Sequence, residues 1–282
     1  MKKLLFIGIL VSFSFVASTQ KLANELGGWL GASYYMGDLN PYKHYNNSHF
    51  AGGLLYRHNI NKRIALRLGI SYGMVSAADS LSDVSEHANR NLAFRSRILE
   101  LGPMLELNFF EYEAGRKIGK HYYKNFISPY FFAGITYFKM NPQATFGDDY
   151  IDLQALGTEG QGSSLSDRKK YSLNQVSLPV GIGCKVSIGA RINISLEYGI
   201  RKTFTDYLDD VSGKYVDPVA LRQLNGQLAS YYADQSLNTE GINFSNEGAM
   251  RGNPKTKDWY SFSGLIVTFC LGRTDACKGV FK

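Results

Sequence analysis

The side chains that could do chemistry in this chain are dispersed. Its five histidines, His44, His49, His58, His87 and His121, lack the i, i+4 spacing of a helical zinc pair and have no Cys-x-x-Cys beside them. They read as polar surface or interface residues. No G-x-S-x-G elbow is present. The sequence therefore predicts no enzyme, no catalytic residue, no cofactor and no metal. A barrel-rim acyltransferase or protease, with a His placed beside Ser or Asp, is the enzymatic alternative. Asp206, Asp209, Asp210 and Asp217 gather in TDYLDDVSGKYVDP and could take calcium. Their spacing does not fit the twelve-residue calcium loop, which leaves turn-forming carboxylates that stabilise a loop base. GTEGQG, residues 157–162, has the glycines of a phosphate cradle without its strand-to-helix junction.

A second set of ionisable residues does recur regularly. Glu25, Arg57, Arg67, Glu100, Glu106, Lys185, Glu197 and Arg201 all fall in the polar phase of segments whose other phase is apolar. The pattern is plainest in QVSLPVGIGCKVSIGARINISLEYGI, residues 175–200. Val176, Leu178, Val180, Ile182, Cys184, Val186 and Ile188 alternate with Gln175, Ser177, Gly181, Gly183, Lys185 and Ser187. After Gly189-Ala190 the alternation resumes, with Ile192, Ile194, Leu196, Tyr198 and Ile200 on one face. Period two with a tight turn predicts an antiparallel hairpin. Each arm reaches the roughly 9–11 residues that a tilted strand needs to cross a bilayer. A soluble sandwich would show the same alternation on shorter strands.

Six further strands follow the same rule. They are expected at about 24–36, 50–58, 63–74, 92–109, 126–140 and 258–271. In the first, Leu26, Leu30, Ala32, Tyr34 and Met36 share the apolar face. In the fourth, Arg95 and Arg97 fall in the apolar phase, which requires a bulge or emergence from lipid. The fifth is aromatic on both faces and does not declare its inner side. Connections after strands one, three, five and seven are long (37–49, 77–91, 141–170 and 205–257), and those after two, four and six are shorter. Even strand number with alternating long and short connections is the pattern of outer-membrane barrels. The fold class is therefore all-β, an eight-stranded antiparallel transmembrane β-barrel with long extracellular loops and shorter periplasmic turns. Ser163 and Asn238 should then lie on the outer surface, and Asn61 and Gly115 on the periplasmic side. Within the 205–257 loop, residues 219–232 carry a faint helical period.

Lys2-Lys3, the apolar run 4–16 and Ala17-Ser18-Thr19 read as a signal peptide over residues 1–19, leaving 20–282 as one barrel domain. The 29 glycines, 19 tyrosines and 17 phenylalanines favour strands with aromatic ends. A net charge of +7 forms no continuous basic stretch, so nucleic acid is excluded as a partner. Cys184, Cys270 and Cys277 are odd in number and lack metal spacing; Cys184 fills an outward position, and a Cys270–Cys277 bridge stays open. An eight-stranded barrel is just wide enough to be filled by its own side chains, so the eight inward charges must pair with one another. A conducting pore or proton path is the alternative.

Several strings, SYYMGDLNP (33–41), LLYRHNINKRIALR (54–67), ELNFFEYEAG (106–115), ISPYFFAGITYFKMNP (127–142), LGTEGQG (156–162), RKTFTDYLDDVSGKY (201–215) and RGNPKTKDWY (251–260), together resemble the PorG family, the small outer-membrane barrel component of the type IX protein secretion system. The resemblance spans nearly the whole mature chain. It implies a non-enzymatic part of the secretion machine, associated with the periplasmic ring of the lipoprotein PorK and its partner PorN. It supplies no site residues. The ending KGVFK departs from the terminal aromatic usual in barrels. On the periplasmic side, the 111–125 connection presents Arg116, Lys117, Lys120, Tyr122, Tyr123 and Lys124, a mixture of charge and aromatic surface suited to docking a ring protein. A surface adhesin acting through the long loops is the competing function.

Overall fold

The computed structural model describes residues 24–114, 127–188, 191–237 and 245–271. The expected signal segment 1–19, the docking residues Arg116, Lys117, Lys120, Tyr122, Tyr123 and Lys124, and Gly115, Asn238, Cys277, Lys278 and Lys282 lie outside these ranges.

Alternation becomes strands: β1 (Asn24–Met36), β2 (His49–Asn59), β3 (Ile64–Ala78), β4 (Ala93–Asn108), β5 (Ile127–Gly134), β6 (Thr136–Lys139), β7 (Pro142–Phe146), β8 (Asp149–Asp152), β9 (Asn174–Ser187), β10 (Ile192–Thr203) and β11 (Trp259–Leu271). Among the described residues four short α-helices, α1 (Ser85–Arg90), α2 (Leu153–Leu156), α3 (Pro218–Asn225) and α4 (Gln227–Ala233), lie in the long loops. The staves β1, β2, β3, β4, β5–β6, β9, β10 and β11 pair antiparallel with their neighbours, β1 pairs β11, and the sheet closes on itself as a ring of eight, with the β7–β8 hairpin set against the upper end of β4. Closure leaves no unpaired edge, the condition for backbone in lipid. No helix among the described residues is long and apolar enough to cross a membrane.

The fifth stave is written as β5 and β6 because Ile135 interrupts the ladder. Its register with β4 continues unbroken from Met104↔Gly134 to Leu101↔Tyr137, which sets Ile135 opposite Pro103. Ile135 N–H still donates to Pro103 O at 3.2 Å, but proline has no N–H to return, so that half of the rung is missing while the stave runs on. Its inner face, undeclared by the sequence, is Ser128, Tyr130, Phe132, Thr136 and Phe138, all buried. The question at Arg95 and Arg97 also resolves. The β3–β4 register is constant from Ile64↔Leu107 to Ala78↔Ala93, so there is no bulge, and both strands rise beyond the apolar belt together.

Leu30 is 74% exposed, and Leu54, Leu66, Leu101, Leu196 and Leu265 join it on an outward apolar belt, while Glu25 and Lys185 of the opposite phase are 0% exposed. A soluble protein inverts this arrangement. Tyr34 corrects the expected lipid face. It is fully buried although it points outward, because the 37–48 loop folds down over it. Its hydroxyl meets His44 Nδ1 at 2.8 Å and Tyr198 Oη at 2.6 Å, and the Tyr45 ring packs at 4.8 Å.

At the long-loop end, the loops pack into a cap. A single buried cluster runs from Tyr35, Phe94, Phe138, Tyr260 and Phe262 in the upper lumen to Leu39, Leu92, Leu153, Leu208, Val211 and Tyr232 in the loops. The faint periodicity at 219–232 becomes α3 and α4. They break at Gly226, whose φ of +96° disfavours other residues.

Candidate functional site: the lumen ion lattice and the cap

All eight inward charges meet in the lumen. Arg57 donates from Nη1 to Glu25 Oε2 at 2.8 Å, and its Nε lies 2.9 Å from Glu106 Oε2. Lys185 Nζ donates to the same Glu106 oxygen at 2.6 Å, and Arg67 Nη1 lies 3.3 Å from the other. Arg67 also grips Glu197 with both terminal nitrogens, Nη2 at 3.2 Å. Glu100 pairs with Arg201 Nε at 3.3 Å. The lattice balances: Glu25, Glu106 and Glu197 face Arg57, Arg67 and Lys185, and Glu100 faces Arg201.

Neutral groups add to it, although Arg57 Nη2 and Glu100 Oε1 keep no hydrogen-bond partner. Asn59, Asn193 and Thr268 donate to Glu25, Tyr130 to Glu197 at 2.7 Å, and Tyr260 to Glu100 at 2.7 Å. These were legible only as inward-phase polar residues; nothing in the sequence marked them as partners. Low-dielectric burial makes each missing contact costly, which is why so many donors converge on four carboxylates. Rings fill the remaining space. Phe132 and Tyr130 lie where Gly181, Gly183 and Gly199 leave room, since a Cβ at any of the three would stand 2.5 or 2.6 Å from a neighbouring ring or guanidinium atom or closer.

Around Trp29, Arg67, Ser71, Glu197, Arg201 and Phe262 a cavity of about 20 Å³ remains. That is room for about one water. At the short-turn end Tyr112, anchored by its N–H to Lys62 O at 3.0 Å, is buried with its ring 5.2 Å from Lys185 Nζ. The lumen is therefore a packed core of ion pairs and rings.

The cap holds a second polar network that the sequence did not disclose. Glu159 of the GTEGQG string is its hub. It accepts from the N–H groups of Ser212 at 2.8 Å and Gly213 at 2.9 Å, and pairs with Arg251 at 3.2 Å and Arg168 at 3.3 Å. The string is thus a structural anchor. Tyr35 Oη lies 2.6 Å from Asp209 and 2.9 Å from Asp258, and Leu208 N–H donates to Asp258. Burial pushes both of these carboxyls well above their ordinary range, each reinforced by neighbouring acids. Burial also raises Asp206 and Asp210 to about 6, opposed by the Ser212 hydroxyl at Asp206 and by Arg251 at Asp210. Asp217 caps α3 through Val219 N–H at 2.8 Å. Among the described residues no cluster of His, Cys, Asp or Glu could hold a metal ion. Ser163 is half-buried, with its hydroxyl on Gly160 O, while Asn61 is exposed in the β2–β3 turn. Cys184 and Cys270 are free thiols among the described residues, and Cys184 sits in the outward phase.

A closed ring of eight staves, a lipid-facing belt and a charged, packed interior define an integral β-barrel of the bacterial outer membrane. Within that class the chain belongs to the family described as a domain of unknown function, DUF6089, whose model matches residues 2–233. No curated protein sequence matches it. Similar solved structures include Neisserial surface protein A, 9% identical, covering 88% of this chain and 97% of that one with a TM-score of 0.41. Ail of Yersinia pestis is 9% identical over 89% of this chain and 100% of its own, with a TM-score of 0.37. OprG of Pseudomonas aeruginosa is 11% identical over 88% and 93%, with a TM-score of 0.34.

Proposed function

We propose that this barrel works by its surfaces, as a non-enzymatic outer-membrane subunit that anchors or scaffolds a protein secretion machine. The observation that carries the reading is the filled lumen. Arg57, Arg67, Lys185 and Arg201 are held by Glu25, Glu106, Glu197 and Glu100, and ring side chains close the space between, so a solute has no route through the wall of side chains. A barrel with a sealed interior offers partners its two ends. The sequence resemblance to the PorG family directs the choice of machine to the type IX system, with PorK and PorN as the periplasmic partners.

The docking element of this proposal is the connection after β4, with Arg116, Lys117, Lys120, Tyr122, Tyr123 and Lys124. Reversing its four cationic charges should weaken co-purification of PorK and PorN and reduce export of cargo, while heat-modifiable barrel remains at its normal level. Undiminished capture and export in that variant would remove the connection from the docking role. The packed cap favours a second reading, an adhesin. Its buried core fixes a surface on which Val219, Leu224, Tyr231 and Met250 stay exposed, suited to a protein partner outside the cell. Cells lacking the protein would then lose attachment while secretion is unchanged.

A further inference from the structure

One patch on the long-loop rim serves neither the lumen nor the cap core. β10 and β11 pair Lys202 with Trp259, and β9 sets Leu178 on the other side of Lys202. Lys202 belongs to the outward phase, as do Ile200 and Tyr198 below it, so it stands at the upper edge of the lipid belt. Its Nζ lies 5.7 Å from the Trp259 ring centroid, near enough for attraction to the ring face. Phe204, two residues on, is 57% exposed. An outward Trp and Phe at the end of membrane strands mark the level of the headgroups.

Phe204 also lines an open cavity of about 520 Å³, with Arg168, Lys169, Lys257, Tyr207 and Asp206 among others, and Lys202 and Trp259 each lie two residues along the chain from a lining residue. Lys169, Lys202 and Lys257 form no ion pair among the described residues. Arg168 is fixed by Tyr207 Oη at 2.9 Å and by Glu159, yet its side chain keeps 44% exposure. Asp206 is the acid in the lining. Its Oδ2 is turned onto Ser212 Oγ at 2.6 Å, and Lys257 balances its charge. Lys257 itself donates to Pro254 O at 3.0 Å, which places its ammonium at the rim. Four cations against Asp206 and the Glu159 that holds Arg168 leave an excess of positive charge, which the structure retains beside lipid.

We infer that Arg168, Lys169, Lys202 and Lys257, with Trp259 and Phe204, bind the phosphorylated headgroup of an outer-leaflet glycolipid. The chemistry fits in both halves. Ammonium and guanidinium groups match phosphate oxygens, and the aromatic pair continues into the apolar belt, where acyl chains would lie. A free anion in water would use only the first half, so the lipid is the ligand this site is shaped for. The orientation assumed is that of long loops outward. The inference does not depend on the secretion reading.

Trp259 reports on the site, while the other tryptophan, Trp29, is inside the barrel and bonded to Ser71. Folded full-length protein in detergent is titrated with bisphosphorylated lipid A, with its dephosphorylated form and with inorganic phosphate, following tryptophan emission. The bisphosphorylated lipid should give a saturable shift, and the triple variant K169Q/K202Q/K257Q should weaken it by about tenfold or more. The triple Lys→Arg variant should restore it, and both variants should keep the heat-modifiable mobility of a folded barrel. An equal response to dephosphorylated lipid, an unchanged affinity in the Lys→Gln variant, or saturation by inorganic phosphate at the same concentration would each overturn the assignment.

Discussion

At Arg201 a guanidinium is buried to within a few per cent of full enclosure, and its single carboxylate partner is Glu100. Its Nη1 donates to the carbonyls of Gly199 at 2.8 Å and Phe262 at 3.2 Å. Removing one member of such a pair leaves the other charged in a medium that solvates it poorly, and breaking a buried pair this way costs about 3–5 kcal/mol. Arg201→Met should therefore destabilise the refolded barrel strongly in urea. Arg201→Met with Glu100→Gln should cost less than the two single changes summed, because the second change removes the stranded charge. Additive losses in that cycle would show that the pair contributes by packing alone. Gly181 tests packing directly. A Cβ there would stand 2.3 Å from the Tyr198 carbonyl oxygen and 2.5 Å from the Phe132 ring, so Gly181→Val should destabilise by about 1–3 kcal/mol. Gly147, which has nothing within 4 Å of its Cβ position, isolates the backbone effect of its φ of +60° without any clash.

Elements differ in how far the sequence discloses them. Outside the doubly aromatic fifth, barrel strands carry their own evidence, since a residue's phase states its face, and the eight lumen charges follow from parity because inward positions share one narrow space. The cap carries little beyond the faint helical period at 219–232. Packing brings Glu159 of the 141–170 loop to Arg251 of the 205–257 loop, and Asp209 to Asp258 across the length of that one loop, and no period links them. Local turn chemistry marks Asp217 as a cap, but it cannot say that Asp209 and Asp258 would share the Tyr35 hydroxyl. The break at Ile135 is equally hidden, because its cause, Pro103, lies on another strand. The cap's chemistry predicts a pH response. Asp206 and Asp210 have folded values of about 6 against an ordinary 3.8, so below about 6 the folded cap holds more protons than the opened loops do. Cap stability should then rise as pH falls from 7.5 toward 4, with Asp209 and Asp258 extending the window upward. Cleavage of the cap by a broad protease, corrected by an unfolded substrate at each pH, should be slower at pH 5.5 than at pH 7.5. Asp210→Asn should flatten that dependence; the residue has φ +66°, which asparagine tolerates. Faster cleavage at the lower pH would contradict the burial argument.

As a whole, the molecule is a cylinder closed along its length: a cap core above, a balanced ion lattice in the middle and Tyr112 below. Conduction requires a continuous file of water, and the gap between Arg67, Trp29 and Phe262 has room for about one molecule. Each wall of that gap is held in place, Trp29 by Ser71 at 3.2 Å and Arg67 by Glu197, and the Phe262 ring packs 5.4 Å from Trp29. Opening the file would mean separating ion pairs in a poorly solvating interior, a change too costly for ordinary thermal fluctuation. Planar bilayers containing the refolded wild-type barrel should therefore show no stable porin-sized steps in 1 M salt. Salt at that level screens exposed charges within about 3 Å, but it does little to pairs that no ion can reach. Truncating Trp29 and Phe262 together to alanine removes two walls of the gap while leaving every ion pair intact, so it should admit water without releasing the lattice and give at most small, flickering steps. A large steady conductance from the wild-type protein would mean that the lattice seen here opens in the membrane, and the surface-scaffold reading would lose the observation on which it stands.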